Sequence, residues 1–144
     1  MRTVCGLPPS RIKNMKKTKI YLSVHGGGEE QKFITEGEVS ERSGRTEYRF
    51  RADGAQFTIT FSENVVIERK GNIAYRIELN ETALTQTMIC TEFGFLPAEV
   101  KTIRSEKSLE HGLEYKGEYE MRFEEFSQRH TVKFRACDTG RADE

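Results

Sequence analysis

The sequence predicts an all-β protein, a single antiparallel barrel of about eight to ten strands that closes on itself. Three observations carry this. From Leu113 to Phe123 every odd position is apolar, aromatic or glycine and every even position is charged. That period-two alternation is the mark of a half-buried strand, since successive side chains point to opposite faces. At about 3.4 Å per residue the stretch would reach roughly 37 Å, long enough to curl. Similar segments recur along the chain, separated by turn signals such as Gly26-Gly27-Gly28, Ser43-Gly44 and Asp53-Gly54. No segment has a helical period. A two-sheet sandwich is the alternative architecture.

The elements follow in order. Residues 1–17 are expected to form a flexible extension with the consecutive prolines Pro8 and Pro9, and Met15 reads as the natural start. Arg11, Lys13, Lys16, Lys17 and Lys19 make a small basic arm, read as a solvated terminus. The barrel is expected over 18–137. Its inward faces are Ile20, Leu22 and Val24; then Phe33, Thr35, Gly37 and Val39; then Thr46, Tyr48, Phe50 and Ala52. Phe57, Ile59 and Phe61 give the fourth strand, Val65, Ile67 and Arg69 the fifth, and Ile73, Tyr75, Ile77 and Leu79 the sixth. The seventh, about Thr85 to Thr91, lacks clean alternation. Leu96, Ala98, Val100 and Thr102 mark the eighth, with Pro97 pointing to an edge or bulge. The Leu113 stretch is the ninth, and Val132, Phe134 and Ala136 the tenth. Gly37 and Gly117 fall on inward faces, where a barrel bends or another backbone approaches. Residues 138–144 are expected to fray.

Composition excludes several classes. A chain of 144 residues suits one domain with a real core. Charged residues are 32% with a net charge of zero, so nothing draws the whole chain to nucleic acid or an anionic membrane. Cys5, Cys90 and Cys137 show no paired spacing, and one is left over from any disulfide, which points to a reducing cytoplasm. No run approaches a membrane span, and no signal-peptide core opens the chain.

Motifs for catalysis are wanting. His25-Gly26-Gly27-Gly28 has the letters of a lipase oxyanion loop, but no GxSxG elbow accompanies it, so a turn is expected. His25, His111 and His130 lack metal-ligand spacing, and no cofactor or metal is expected. The anomaly lies on the inward parity. Arg69 continues the series Val65, Ile67, while His130 leads Val132, Phe134 and Ala136. Parity also sets a register here: a three-residue loop Gly71-Asn72-Ile73 pairs Arg69 with Tyr75, Ile67 with Ile77 and Val65 with Leu79. An inward guanidinium without an acid among its sheet neighbours either meets an anionic ligand or sits at a strand end beside the Gly71-Asn72 turn.

Several short motifs occur in a telling order: Thr35-Glu36-Gly37, Arg69-Lys70-Gly71, Thr91-Glu92-Phe93-Gly94-Phe95-Leu96, Val100-Lys101-Thr102 and Gly112-Leu113-Glu114-Tyr115. In this the chain, from about Lys19 to Ala136, resembles the YwiB-like family, small bacterial barrels that form a domain of unknown function. Glu92 stands where that family usually has proline, and Phe50-Arg51-Ala52 lacks its acidic residue. The resemblance implies a calycin-like, lipocalin-like barrel and no particular activity.

Two functional readings lead, and a cryptic enzyme comes third. In the first, a non-catalytic binding protein holds a small anionic or amphipathic ligand inside the barrel. Arg69 is the charge partner, His130 and Thr102 are hydrogen-bonding groups, and Tyr75 and Tyr115 form the wall. In the second, the barrel is packed and the loop from Thr91 to Pro97 engages a protein partner through Phe93, Phe95 and Leu96. A filled interior favours the second reading, a void of a few hundred Å³ the first.

Overall fold

A computed structural model describes residues 15–138. The expectations for residues 1–14 and 139–144, and for Cys5, lie outside this range. Ten strands follow in chain order: β1 (Lys16–Gly26), β2 (Glu29–Arg42), β3 (Arg45–Ala52), β4 (Ala55–Phe61), β5 (Val65–Lys70), β6 (Tyr75–Leu79), β7 (Thr85–Thr91), β8 (Gly94–Ser108), β9 (Leu113–Arg122) and β10 (Ser127–Asp138). All pair antiparallel in one sheet of order β6-β5-β4-β3-β2-β1-β10-β9-β8-β7, with no helix among the described residues. The result is a nearly closed barrel. β1 begins two residues before the expected Thr18, and Asp138 still belongs to β10.

Three of the hairpins turn on two residues with positive φ: Gly27-Gly28, Ser43-Gly44 and Asp53-Gly54. Both central residues being left-handed matches the turn twist to the strand twist, which is why glycine recurs there. The last edges, β6 and β7, meet at a seam. Ala74 and Cys90 exchange two backbone hydrogen bonds, at 2.9 and 2.8 Å. The Thr85 hydroxyl then donates to the Glu78 carbonyl at 2.7 Å, and Thr87 to the Arg76 carbonyl at 2.6 Å. Side-chain hydroxyls thus satisfy edge carbonyls where the backbone ladder stops.

The inward parity is as the alternation predicts, and the β5–β6 register is Arg69 with Tyr75, Ile67 with Ile77 and Val65 with Leu79. Aromatic rings fill the middle. Phe134 lies 5.1 Å from Tyr48, 5.9 Å from Phe50 and 6.0 Å from Phe61 between ring centroids, and Tyr115 meets Phe61 edge-on at 5.3 Å. Such ring pairs interlock the two halves of the sheet across the barrel. At Gly37 an added Cβ would lie 2.5 Å from the Arg49 carbonyl oxygen. β2 pairs with β3 only from this residue onward, so Gly37 is the point where the two strands part.

Two further expected boundaries shift. The sixth strand starts at Tyr75, and Ile73 is exposed, because its carbonyl accepts from Arg69 and its N–H donates to the Asn72 side chain. The stretch Thr91 to Pro97 is not a loop. β7 runs to Thr91 and β8 restarts at Gly94, with Thr91 paired to Gly94 across the two-residue turn Glu92-Phe93. The Phe93 N–H donates to the Thr91 hydroxyl at 3.0 Å, a local bond that closes the turn without proline. The far side of β8 is open at Pro97, since β9 ends at Arg122 opposite Glu99, so proline stands where one edge is free.

Candidate functional site

The five residues expected to hold a ligand do converge on the barrel interior, but their polar groups are largely engaged with the protein. Arg69 is buried, 8% exposed, with its stem beside Phe57 and its guanidinium 5.7 Å from that ring centroid. It donates to the Ile73 carbonyl, to Asn72 Oδ1 at 3.4 Å and to Asp53 Oδ2 at 3.3 Å. The expectation of a guanidinium without an acid is therefore corrected. Asp53 is not a sheet neighbour; it sits in the β3–β4 turn, whose left-handed geometry swings its carboxylate over the end of β5.

Thr102 is buried and its hydroxyl accepts from the Asn80 N–H at 2.9 Å, fixing the chain after β6. The Tyr115 hydroxyl shares a hydrogen bond with Ser105 at 2.8 Å. Burial pushes the Tyr115 phenol up to about 12, with the Ser105 bond pulling it back and the Glu81 carboxylate adding to the rise. Tyr75 is raised by burial and partly offset by the Arg69 charge. Tyr119 is raised by burial and then by the nearby Tyr75 and Tyr115 phenols. His130 stacks on Tyr119 at 5.3 Å, is lowered by burial, and has Nε2 buried without a hydrogen-bond partner among the described residues. These shifts keep the phenols protonated and the imidazole neutral near pH 7, so the cluster offers hydrogen bonds and little charge. Among the described residues, no group of three histidine, cysteine or acidic side chains is placed to hold a metal ion.

Two features lie outside the barrel. One is the β7–β8 hairpin, where Phe93 is 91%, Phe95 74%, Met88 48% and Leu96 46% exposed. Met88 opposes Pro97 and Cys90 opposes Phe95 on its outward face, while Ile89 opposes Leu96 on the other. The other is a groove of about 760 Å³ on the outer face of β2, β1, β10, β9 and β8. No residue of β3 to β6 contributes to it. Two outward rows of the ladder flank it. One row is Ile34, Tyr21, Arg135, Glu114 and Ser108; the other is Lys32, Ser23, Lys133, Lys116 and Glu106. A smaller groove of about 270 Å³ adjoins it and shares Ser23, Lys116 and Lys133. No sequence pattern marks these lysines or Asp53, because their placement depends on which strands and turns lie side by side.

The fold and these surfaces define a small, nearly closed antiparallel barrel. The DUF1934 family, a domain of unknown function, matches residues 16–133. The chain belongs to that family. It is similar in structure to the ywiB protein from Bacillus subtilis, known from a crystal structure, with a TM-score of 0.65 and 16% identity over 86% of this chain and 96% of that one. At that identity the likeness speaks to the fold. No curated protein matches the chain.

Proposed function

We propose that this barrel is a non-catalytic binding module whose working surface is the β7–β8 hairpin and whose partner is a protein with an apolar cleft. The observation that carries it is the exposure of Phe93 and Phe95, 91% and 74%, on a turn held rigid by its own hydrogen bonds. Fully burying a side chain of this size is worth about 1.5–3 kcal/mol, so leaving two in water is costly unless a partner covers them. Aromatic anchors on a stiff support are the usual centre of an interface. A ligand inside the barrel has less support, since rings fill its middle and Arg69 already has Asp53. A reducing, cytoplasmic setting belongs to the same reading and rests on the free thiols Cys90 and Cys137.

The test pairs capture with stability. A photo-crosslinking benzoylphenylalanine at Phe93 of the full chain should give one dominant heterologous adduct in cells of the source. Phe93→Ser with Phe95→Ser should abolish binding of that partner, once purified, and shift Tm by no more than about two degrees. Severe unfolding of the double variant, or unchanged binding, would remove the hairpin from consideration.

A further inference from the structure

We infer that the outer groove is a second binding site, for a small amphipathic anion, with the charged head at Lys116 and Lys133 and the apolar body over Tyr21 and Ile34. This is independent of the hairpin. Its volume of about 760 Å³ falls within the range of small-molecule sites, about 300–1,000 Å³. Four strand gaps of about 4.8 Å give it a length near 19 Å across the sheet, enough for a medium-length chain.

Charge decides the class of ligand. Lys116 and Lys133 stand directly opposite each other on β9 and β10, and Ser23 and Lys32 continue the row across β1 and β2. Like charges in direct opposition destabilise a sheet. Neighbouring cross-strand positions are compensated: Arg135 meets Glu114 at 3.7 Å, and Arg129 meets Glu118 at 3.8 Å. Glu106, at the end of the lysine row, is engaged by Arg104 at 3.9 Å. Lys32, Lys116 and Lys133 have no ion pair among the described residues. Glu30 and Glu118 line the adjoining groove with Lys116 and Lys133 but make no ion pair with them, so three ammonium groups on one rim are without a close carboxylate, a place an anion would fill.

The opposite row carries the Arg135–Glu114 ion pair over β10 and β9 and is apolar at its β2–β1 end, Ile34 and Tyr21. Ile34 is 68% exposed and pairs across the ladder with Tyr21. Two cations approach the Tyr21 ring, Lys19 at 5.9 Å and Arg135 at 5.5 Å from its centroid. An uncharged apolar molecule would leave the lysines unanswered, and a simple inorganic anion would leave Tyr21 and Ile34 in water. A single molecule carrying both a carboxylate, phosphate or sulfonate head and a hydrocarbon body answers both rims.

Decanoate, used below its micelle concentration, is the probe. Amide shifts in a nuclear magnetic resonance titration should centre on Tyr21, Ile34, Lys116 and Lys133, with decanol and decyltrimethylammonium far weaker. Lys116→Glu with Lys133→Glu should weaken decanoate by about tenfold or more, since charge-assisted bonds are worth about 1.5–3 kcal/mol. Ile34→Asp, at an exposed position, gives a second reading that does not risk the fold, and should weaken it comparably. Phe93→Ser with Phe95→Ser should leave decanoate binding unchanged, which separates this site from the hairpin. Decanol binding as tightly as decanoate, shifts confined to the hairpin, or full affinity in Ile34→Asp would overturn the inference, as would binding only to anionic vesicles.

Discussion

The guanidinium of Arg69, on β5, meets the carboxylate of Asp53, in the β3–β4 turn, at 3.3 Å. The pair bridges two hairpins, with β4 between them, at one end of the barrel. Asp53 is half exposed, so the attraction is screened, and the Ile73 carbonyl and Asn72 share the guanidinium. Asp53→Asn should therefore cost only about 1 kcal/mol in urea denaturation. Arg69→Met, which keeps the stem on Phe57, should fold and stay within about 1 kcal/mol of the parent. A loss of several kcal/mol in Arg69→Met would show that its bond to the Ile73 carbonyl anchors the β5–β6 turn.

The seam makes a second prediction. Replacing Thr85 and Thr87 together by valine keeps the shape and removes both hydroxyl bonds to β6. Each bond is worth about 1 kcal/mol, so the double variant should lose about 2 kcal/mol. Hydrogen exchange should rise first at the Ala74 and Cys90 amides, whose mutual bonds complete the seam. Uniform exchange across the barrel would show that the edges do not open separately.

Gly37 and Gly44 separate steric from conformational cost. Gly37→Ala puts a methyl against the Arg49 backbone and should cost about 2 kcal/mol or more. Gly44 has open space around it but a φ of 77°, so Gly44→Ala should cost only about 1–2 kcal/mol of left-handed strain. Thermal denaturation of the two variants gives the order directly.

Stability should fall at both ends of the pH scale. Burial holds His130 below its ordinary value of 6.5, so the unfolded chain takes the proton first. The contribution of neutral His130 is full above 6.5 and is lost as pH falls toward the depressed folded value. His130→Gln should flatten that limb of the stability curve. At the alkaline end Tyr115 is pushed up to about 12 from 10.0, so its contribution is full below 10.0 and is lost as pH rises toward about 12. Tyrosinate absorbance should show Tyr75, Tyr115 and Tyr119 ionising late, and Tyr115→Phe should remove one of these steps. Ionisation of all tyrosines near 10 in the folded protein would refute the burial of this cluster.

What the sequence determined by itself was local and periodic. Alternation set which side chains face inward, from Ile20 to Ala136, and glycine-containing pairs placed the tight turns. Parity across Gly71-Asn72-Ile73 even determined that Arg69 pairs with Tyr75. The β7 bounds followed from Thr85 to Thr91 although alternation was poor there. The tertiary structure decided what lies between non-neighbouring segments. Asp53 reaches Arg69 because a left-handed turn and strand order bring them together, a relation that no period-two pattern encodes. Lys116 and Lys133 are each ordinary outward residues of alternating strands. Only the β9–β10 register sets them face to face, and only the curvature of five strands makes a groove beside them. Side-chain parity is a property of one strand, whereas charge opposition and concavity are properties of the assembled sheet.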